Sequence, residues 1–547
     1  MKRRSHWFLL GAIGLVALMV ASAALAGSSA TPRRGGTVIY GLDQEPKVLN
    51  GWITEGNLFA TSEAIEPLFD GGLEYNNRGV LVPVLLAAQP RIIRSRPFTT
   101  RHVYKARARW NDGTRVTGND FLFTYQTVMN RNWDITSRNG WEDIARVRVH
   151  GAGRRTVTVT WKRPFAAWKP IVGASLLPRH VLRGQNFNQT WRNNVSKPNG
   201  QPISNGPFVF SQWNRGSQLV LTRNTRYWGA RAFLDRITYR VVADTNTQFQ
   251  AIRSGELSVL RPQPQLQIAD ARRNPNLRVQ SGPEFAWEHI DIQRGAKGHA
   301  ALKRLYVRQA LIRGINRPAV ANALYRTIAP GLPVLQNVIF KPFEAAYRPH
   351  WNRWTFNRAA AERLLTRNRC TKGSDGIYSC PQVGKLSFRF TSTAGNQLRE
   401  LAFEIIQSQL KAVGIEVRSA FGPAAHVFGT VLGSRDWDLF MFTWIGSPTS
   451  SITDEAIHGC GGDQNDMEYC NRRVSTLLRR AQTTVNDARR NRILNQADAL
   501  MAADIPQIPL FARPGFLIHE RRIQGILRNP TQQTALWNVN RWWSTTR

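Results

Sequence analysis

Arg435-Asp-Trp-Asp-Leu-Phe-Met-Phe-Thr-Trp-Ile-Gly-Ser-Pro448 is an apolar run that stops abruptly in a Gly-Ser-Pro loop. Phe440, Phe442 and Trp444 favour a strand, and Gly446 and Pro448 end it. Upstream, Leu386-Ser-Phe-Arg-Phe390 reads as another strand. Leu398, Leu401, Ala402, Ile405, Leu410 and Val413 then supply a helical apolar face, Gly414 stops the helix, and Ile415-Glu-Val-Arg-Ser419 reads as a second strand. A right-handed crossover makes these two strands neighbours or near neighbours in a parallel sheet. The run from Trp437 to Trp444 is then a further strand of that sheet, and its loop lies at a carboxyl end, where α/β sheets bind ligands. Trp444 is either the wall of a cleft or a core tryptophan at a strand end.

Toward the N-terminus the pattern changes. Gly35-Gly-Thr-Val-Ile-Tyr-Gly41 reads as a first strand, followed by a loop through Pro46 and a helical pattern from Leu58 to Leu68. From Val80 to Arg163, alternating runs such as His102 to Arg109 and Thr156 to Trp161 predict β-rich structure. Between them Asn111-Asp-Gly113 turns the chain, and Thr117 or Asn119 caps a helix starting near Asp120. A second β-rich block runs from Ser204 to Val242, with a helix from Thr245 to Ser254 closed by Gly255. Phe285 to Ile292 alternates like a strand. After it helices alternate with strands, which places a candidate domain boundary near residue 290. The expected class is mixed α/β.

A chain of 547 residues with 42% apolar content and 18 Trp buries a sizeable core and is not disordered. The formal net charge of +38 raises nucleic acid, anionic lipid or an acidic polymer as partners. The arginines, however, are scattered through every predicted element. The only compact basic cluster, Lys2 to Arg4, precedes the apolar stretch Trp7 to Ala23 and the small residues Ala24-Leu25-Ala26, as in a signal peptide over 1–26. An uncleaved membrane anchor is the alternative. No Cys follows the apolar run to carry a lipid. A polar linker over 27–34 leads to an expected extracytoplasmic mature chain.

Export bears on the four cysteines. Cys370 with Cys380 and Cys460 with Cys470 each close a short loop, and in an oxidising compartment they read as two local disulfides. Zinc ligation would more typically use close Cys-x-x-Cys pairs or mixed His spacing. Neither a phosphate-binding glycine loop, a Gly-x-Ser-x-Gly elbow nor a His-Glu-x-x-His helix occurs, since His519-Glu520 lacks the second histidine. Asp436 and Asp438 fall at i and i+2 on one strand face, as a solvated strand start or as an acid and base pair. Large size, export and missing catalytic motifs point to a binding protein without cofactor or metal. The alternatives are an exported hydrolase of envelope polymers and a basic envelope-binding protein.

Several stretches, in order, resemble one family. They are Gly35-Gly-Thr with Asp43-Gln-Glu-Pro46 and Trp110-Asn-Asp-Gly-Thr-Arg-Val-Thr-Gly-Asn-Asp-Phe121, close to a family signature F-x-D-G-x-P-x-T-A-x-D-V. Gly206-Pro-Phe208, Asn224-Thr-Arg-Tyr-Trp-Gly229, Ile252-Arg-Ser-Gly-Glu256, Val307-Arg-Gln-Ala-Leu311, Ile315-Asn-Arg317, the Ala359 to Leu365 helix and the Trp437 to Trp444 strand follow. The chain resembles the family 5 extracytoplasmic solute-binding proteins of peptide, nickel and related ABC importers.

The resemblance implies a type II periplasmic-binding-protein fold with two lobes about a hinge near Trp287 to Ile292. The first lobe would take 35–66, 203–287 and 515–547, a β-rich insert 67–202, and an α/β lobe 288–514. It also implies a monomer that carries a small solute, oligopeptide-like or other, to membrane permease subunits driven by a cytoplasmic ATPase. Thr54, Glu55 and Asn57 occupy the loop that faces the cleft in relatives. Peptide-binding relatives place an aspartate shortly after the tryptophan matching Trp444. Here Ile445-Gly-Ser-Pro-Thr-Ser450 follows and no acid occurs until Asp454, so Ser447 and Thr449 are the expected polar contacts. Asn396 and Arg399, at a helix start, are candidates for an anionic group, with a solvated helix end as the alternative. Trp287, Phe442 and Trp444 are candidate apolar contacts, each with an alternative place in the core.

Overall fold

The alternating and apolar runs assemble into one large sheet in the computed structural model, which describes residues 31–448 and 451–546. The expected signal peptide, the start of the linker and Thr449 lie outside the described residues. In chain order the ten strands are β1 (Thr37–Leu42), β2 (Phe208–Asn214), β3 (Gln218–Arg223), β4 (Arg236–Val241), β5 (Val259–Leu260), β6 (Leu277–Ile292), β7 (Ser387–Thr393), β8 (Glu416–Gly422), β9 (Leu439–Ile445) and β10 (Gln507–Glu520). Their spatial order is β8-β7-β9-β6-β10-β5-β1-β4-β3-β2.

The crossover unit forms as its sequence dictates. β7 and β8 are parallel neighbours, with Ser387 opposite Glu416. They are joined by helix α1 (Gln397–Val413), which Asn396 caps and Gly414 ends at φ 92°. β9 lies parallel on the other side of β7, Phe390 opposite Leu439, so the Gly446 to Pro448 loop leaves its carboxyl end. The strand starts two residues later than its sequence predicts. Trp437 is fully buried, and the Asp438 carboxylate accepts backbone N–H groups from His299 (2.8 Å) and Arg389 (2.9 Å), which takes it out of the ladder. The Arg389 guanidinium clamps both Asp436 (2.7 Å) and Asp438 (3.1 Å). That pair is therefore a structural lock at the strand start and does not lie on one strand face.

The centre of the sheet is β6 against β10, antiparallel from Leu277 opposite Glu520 to Asp291 opposite Gln507. Their ladder is broken between Pro283 and Trp287 and again between Glu288 and His289. Proline supplies the reason: Pro283 faces Pro514 and Pro509 faces His289, and a proline nitrogen donates nothing to a ladder. The two faces of β10 feed different cores. Phe516 and Ile518 pack with the α/β half of the molecule, alongside Phe388, Leu410 and Met441. Leu517 packs with Val38, Tyr40, Trp110, Phe121 and Val159.

Between β1 and β2 the chain builds a separate four-stranded antiparallel sheet, ordered Arg91–Ser95, Phe98–Val103, Thr156–Trp161 and Ile144–His150. The run expected to continue to Arg109 leaves the strand at Val103 and enters the Asn111-Asp-Gly113 turn, where the Gly113 N–H donates to the Trp110 carbonyl (3.0 Å). Thr117 and Asp120 form a capping box on helix α2 (Gly118–Met129), because each side chain satisfies a backbone N–H that the helix start leaves open. Cys370–Cys380 and Cys460–Cys470 are both disulfides. Among the described residues, no helix is long and apolar enough to cross a membrane.

Candidate functional site

A cavity of about 630 Å³ opens beside the carboxyl end of β9. Its aromatic wall comes from the broken ladder at the centre of the sheet. Trp287 on β6 stands directly opposite Trp444 on β9, and Phe442 lies one strand repeat away on the same face. Phe442 is only 2% exposed, packed on His289 (centroids 4.5 Å) and Trp444 (5.2 Å), so its main role is in the core although an edge reaches the cavity. Trp444 is half-buried, and Trp287 is buried. Neither indole N–H has a hydrogen-bond partner among the described residues. The Lys341 ammonium sits 3.9 Å from the Trp287 ring centroid and donates to the Val338 and Ile339 carbonyls (3.1 Å each). Burial pulls its pKa down to about 8.

The rim includes a short helical turn, Thr54–Gly56, and Asn57. The Thr54 hydroxyl donates to Asp134 (2.6 Å), and the Glu55 carboxylate accepts from the Arg192 guanidinium. Both groups thus have protein partners while facing the cavity. Opposite them the Cys460–Cys470 loop presents Asp463, Gln464 and Asp466. Asp463 accepts from the Ser137 hydroxyl (2.9 Å). Burial raises Asp466 to about 6, against the opposing pull of Arg435.

The floor is charged. Arg399 is 6% exposed and its guanidinium pairs with both Glu288 oxygens (2.8 and 3.4 Å), with the Thr393 and Thr443 hydroxyls completing its partners. Burial opposes ionisation of Glu288, but Arg399 and the Thr443 hydroxyl outweigh it and hold the carboxyl below its usual range. Beside this pair, Arg261, Arg528 and Arg513 share the Glu284 carboxylate at 3.0, 3.7 and 4.0 Å. Arg261 also lies over the Phe59 ring (4.5 Å). Buried Glu63 accepts the Tyr40 hydroxyl (2.5 Å) and is pushed by desolvation to about 8.

Of the residues expected from sequence, Thr54, Glu55, Asn57, Trp287, Arg399, Phe442 and Trp444 converge on this cavity. Three corrections follow. Arg399 is not an open anion site, because Glu288 already neutralises it. Asn396 does not line the cavity: it caps α1 and donates to Gln263 (2.7 Å), whose side chain it positions there. Ser447 turns to a neighbouring cavity, and its hydroxyl accepts the Gln532 N–H (3.2 Å). Sequence reasoning missed Arg261, Gln263, Arg513, Asp463 and Asp466. The available signals were lone arginines ending the apolar runs Val259-Leu260 and Leu510-Phe-Ala512, and the acid-rich stretch inside one cysteine pair. Among the described residues, no group of three or more His, Cys, Asp or Glu side chains could hold a metal ion.

Comparison with known proteins follows the same outline. The family model described as "Bacterial extracellular solute-binding proteins, family 5 Middle" matches residues 105–457. The Oligopeptide-binding protein OppA of Mycobacterium tuberculosis (strain ATCC 25618 / H37Rv) is 26% identical over 433 residues, covering 78% of this chain and 71% of that protein. Among solved structures, the periplasmic EDTA-binding protein EppA superposes with a TM-score of 0.85 at 19% identity, covering 94% of this chain and 98% of that one. The oligopeptide-binding protein AppA of Bacillus subtilis, in complex with a nonapeptide, gives 0.83 at 20% identity, covering 94% and 100%. At these identities the superpositions establish a shared fold.

Proposed function

We propose that this chain, which belongs to the family 5 bacterial extracellular solute-binding proteins, encloses a small solute in the 630 Å³ cavity and delivers it to an ABC import permease with a cytoplasmic ATPase. The observation that carries this reading is the convergence of Thr54, Trp287, Trp444 and Asp463, distant in sequence, on one cavity at the carboxyl end of β9. An aromatic wall of Trp287, Phe442 and Trp444 set against polar and charged groups gives a small-molecule site both apolar contact and groups that fix a solute's orientation.

The lobes we assign are 35–66 with 203–287 and 515–547, carrying the insert 67–202, against 288–514. Hydrogen bonds cross between the insert and the α/β lobe: Ser137 to Asp463 (2.9 Å), Asn139 to Glu455 (3.1 Å) and the Ala166 N–H to the Gln482 carbonyl (2.5 Å). They support a closed arrangement around the cavity. A solute that contacts both lobes would favour that arrangement by its differential affinity alone. The protein acts as a non-catalytic, exported monomer, its signal peptide removed near Ala26. The solute class ranges from oligopeptides to other small molecules: AppA of Bacillus subtilis was solved with a nonapeptide, and EppA is an EDTA-binding protein.

Mass spectrometry of the molecule released from gently purified protein tests this reading, followed by solution scattering and melting with and without it. A smaller radius of gyration and a higher Tm on binding are expected. No bound molecule, and no response to a broad library of peptides, sugars and metal chelates, would overturn it.

A further inference from the structure

Arg513 is 6% exposed and reaches the cavity, yet its guanidinium makes no hydrogen bond among the described residues. Its nearest anionic oxygen, Glu284 Oε2, is 4.0 Å away, beyond hydrogen-bond distance, while Arg261 donates to the other carboxylate oxygen, Oε1, at 3.0 Å. Glu284 is the only ion-pair partner, among the described residues, of three guanidiniums. The adjoining Arg399–Glu288 pair is balanced, and buried Glu63 is held protonated near neutral pH. Asp43 also lines the cavity, accepts from Gln263 (2.9 Å), and offsets one charge at most. The floor therefore retains an excess of positive charge. A buried charged donor with no acceptor is among the costlier arrangements a fold can carry.

Resting on the receptor reading above, we infer that the solute is anionic and that Arg513, with Arg261 beside it, holds its negatively charged oxygen group, a carboxylate or a phosphate. The planar guanidinium fork matches two oxygens of either group. The apolar wall of Trp287 and Trp444 would take the rest of the solute. Arg399 is a positioning residue: through Glu288 it fixes the strand next to the site without offering a free donor.

The test uses the full mature chain and the molecule it releases. Mass spectrometry should find a carboxylic acid or a phosphate ester, which also separates the two sources. Titration calorimetry should then show that wild type binds this acid roughly ten- to hundredfold tighter than its methyl ester. Arg513→Met should lose that preference, and Arg513→Lys should keep part of it. Arg513→Met should also raise the Tm of the unliganded protein, since it removes one of three buried guanidiniums that share Glu284 and leaves that carboxylate paired with Arg261 and Arg528; if that variant does not fold, the acid-to-ester ratio on wild type decides alone. A neutral or cationic native solute, or equal binding of acid and ester, overturns the anionic assignment while leaving the receptor intact. Equal affinity of a folded Arg513→Met for the acid overturns the role of Arg513. A wild type that carries and binds nothing overturns both readings together.

Discussion

Trp287 and Trp444 are direct cross-strand partners on β6 and β9, one buried and one half-buried, and both face the cavity. Their environments separate what each supports. Trp287 packs under Lys341 in the middle of the sheet, so Trp287→Ala should cost about 3–5 kcal/mol of stability. Trp444→Ala should cost less stability and mainly weaken solute binding. Denaturant midpoints and calorimetry on both variants check this; equal losses of stability would mean that Trp444 is a core residue.

The buried Arg399–Glu288 pair predicts non-additive mutants. Arg399→Met leaves Glu288 without its counter-charge in a low-dielectric site and should destabilise by about 3–5 kcal/mol. Removing both charges, as Arg399→Met with Glu288→Met, should recover most of that loss. A double-mutant cycle from urea unfolding reads the coupling, and strict additivity would contradict the pairing.

Glu63 gives a pH signature. Desolvation holds its folded pKa near 8, well above an unfolded glutamate. The stability it contributes is complete below the unfolded pKa and is lost as pH rises through about 8, because between those values the native state binds the extra proton. Melting between pH 5 and pH 9 should therefore show a decline that Glu63→Gln makes shallower, the amide oxygen still accepting the Tyr40 hydroxyl, while Glu66, Asp70 and Asp498, each raised by burial to about 7, keep part of it. An unchanged profile in Glu63→Gln would assign the decline to another group.

The two disulfides should differ in consequence. Opening either loop, through Cys370→Ser with Cys380→Ser or Cys460→Ser with Cys470→Ser, should cost roughly 2–3 kcal/mol through the unfolded chain. Only the second loop carries Asp463, Gln464 and Asp466 into the cavity, so only its loss should also weaken solute binding. Matched calorimetry on the two double variants distinguishes them.

The crossover unit was legible because its signals are local. The apolar face from Leu398 to Val413, the stop at Gly414 and the strand runs on either side depend on residues a few positions apart. Trp444 came from its place at the carboxyl end of a strand, the rim at Thr54, Glu55 and Asn57 from ordered resemblance, and all four converge on the cavity. Asn396, Arg399 and Ser447 illustrate the limit. Each is polar and close to the site in sequence, but its role depends on a partner far along the chain: Gln263, Glu288 and Gln532.

By itself, then, the sequence determined the strand and helix pattern, the likeness to solute-binding proteins and the pairing of cysteines ten residues apart, since short-range periodicity and short loops encode these. Tertiary structure decided which charges are open. Only the antiparallel stacking of β5, β10 and β6 gathers Arg261, Arg513 and Glu284 into one floor. Burial and partner distance, which no local pattern records, left Arg513 with a 4.0 Å ion pair and no hydrogen bond among the described residues, and Arg399 already neutralised.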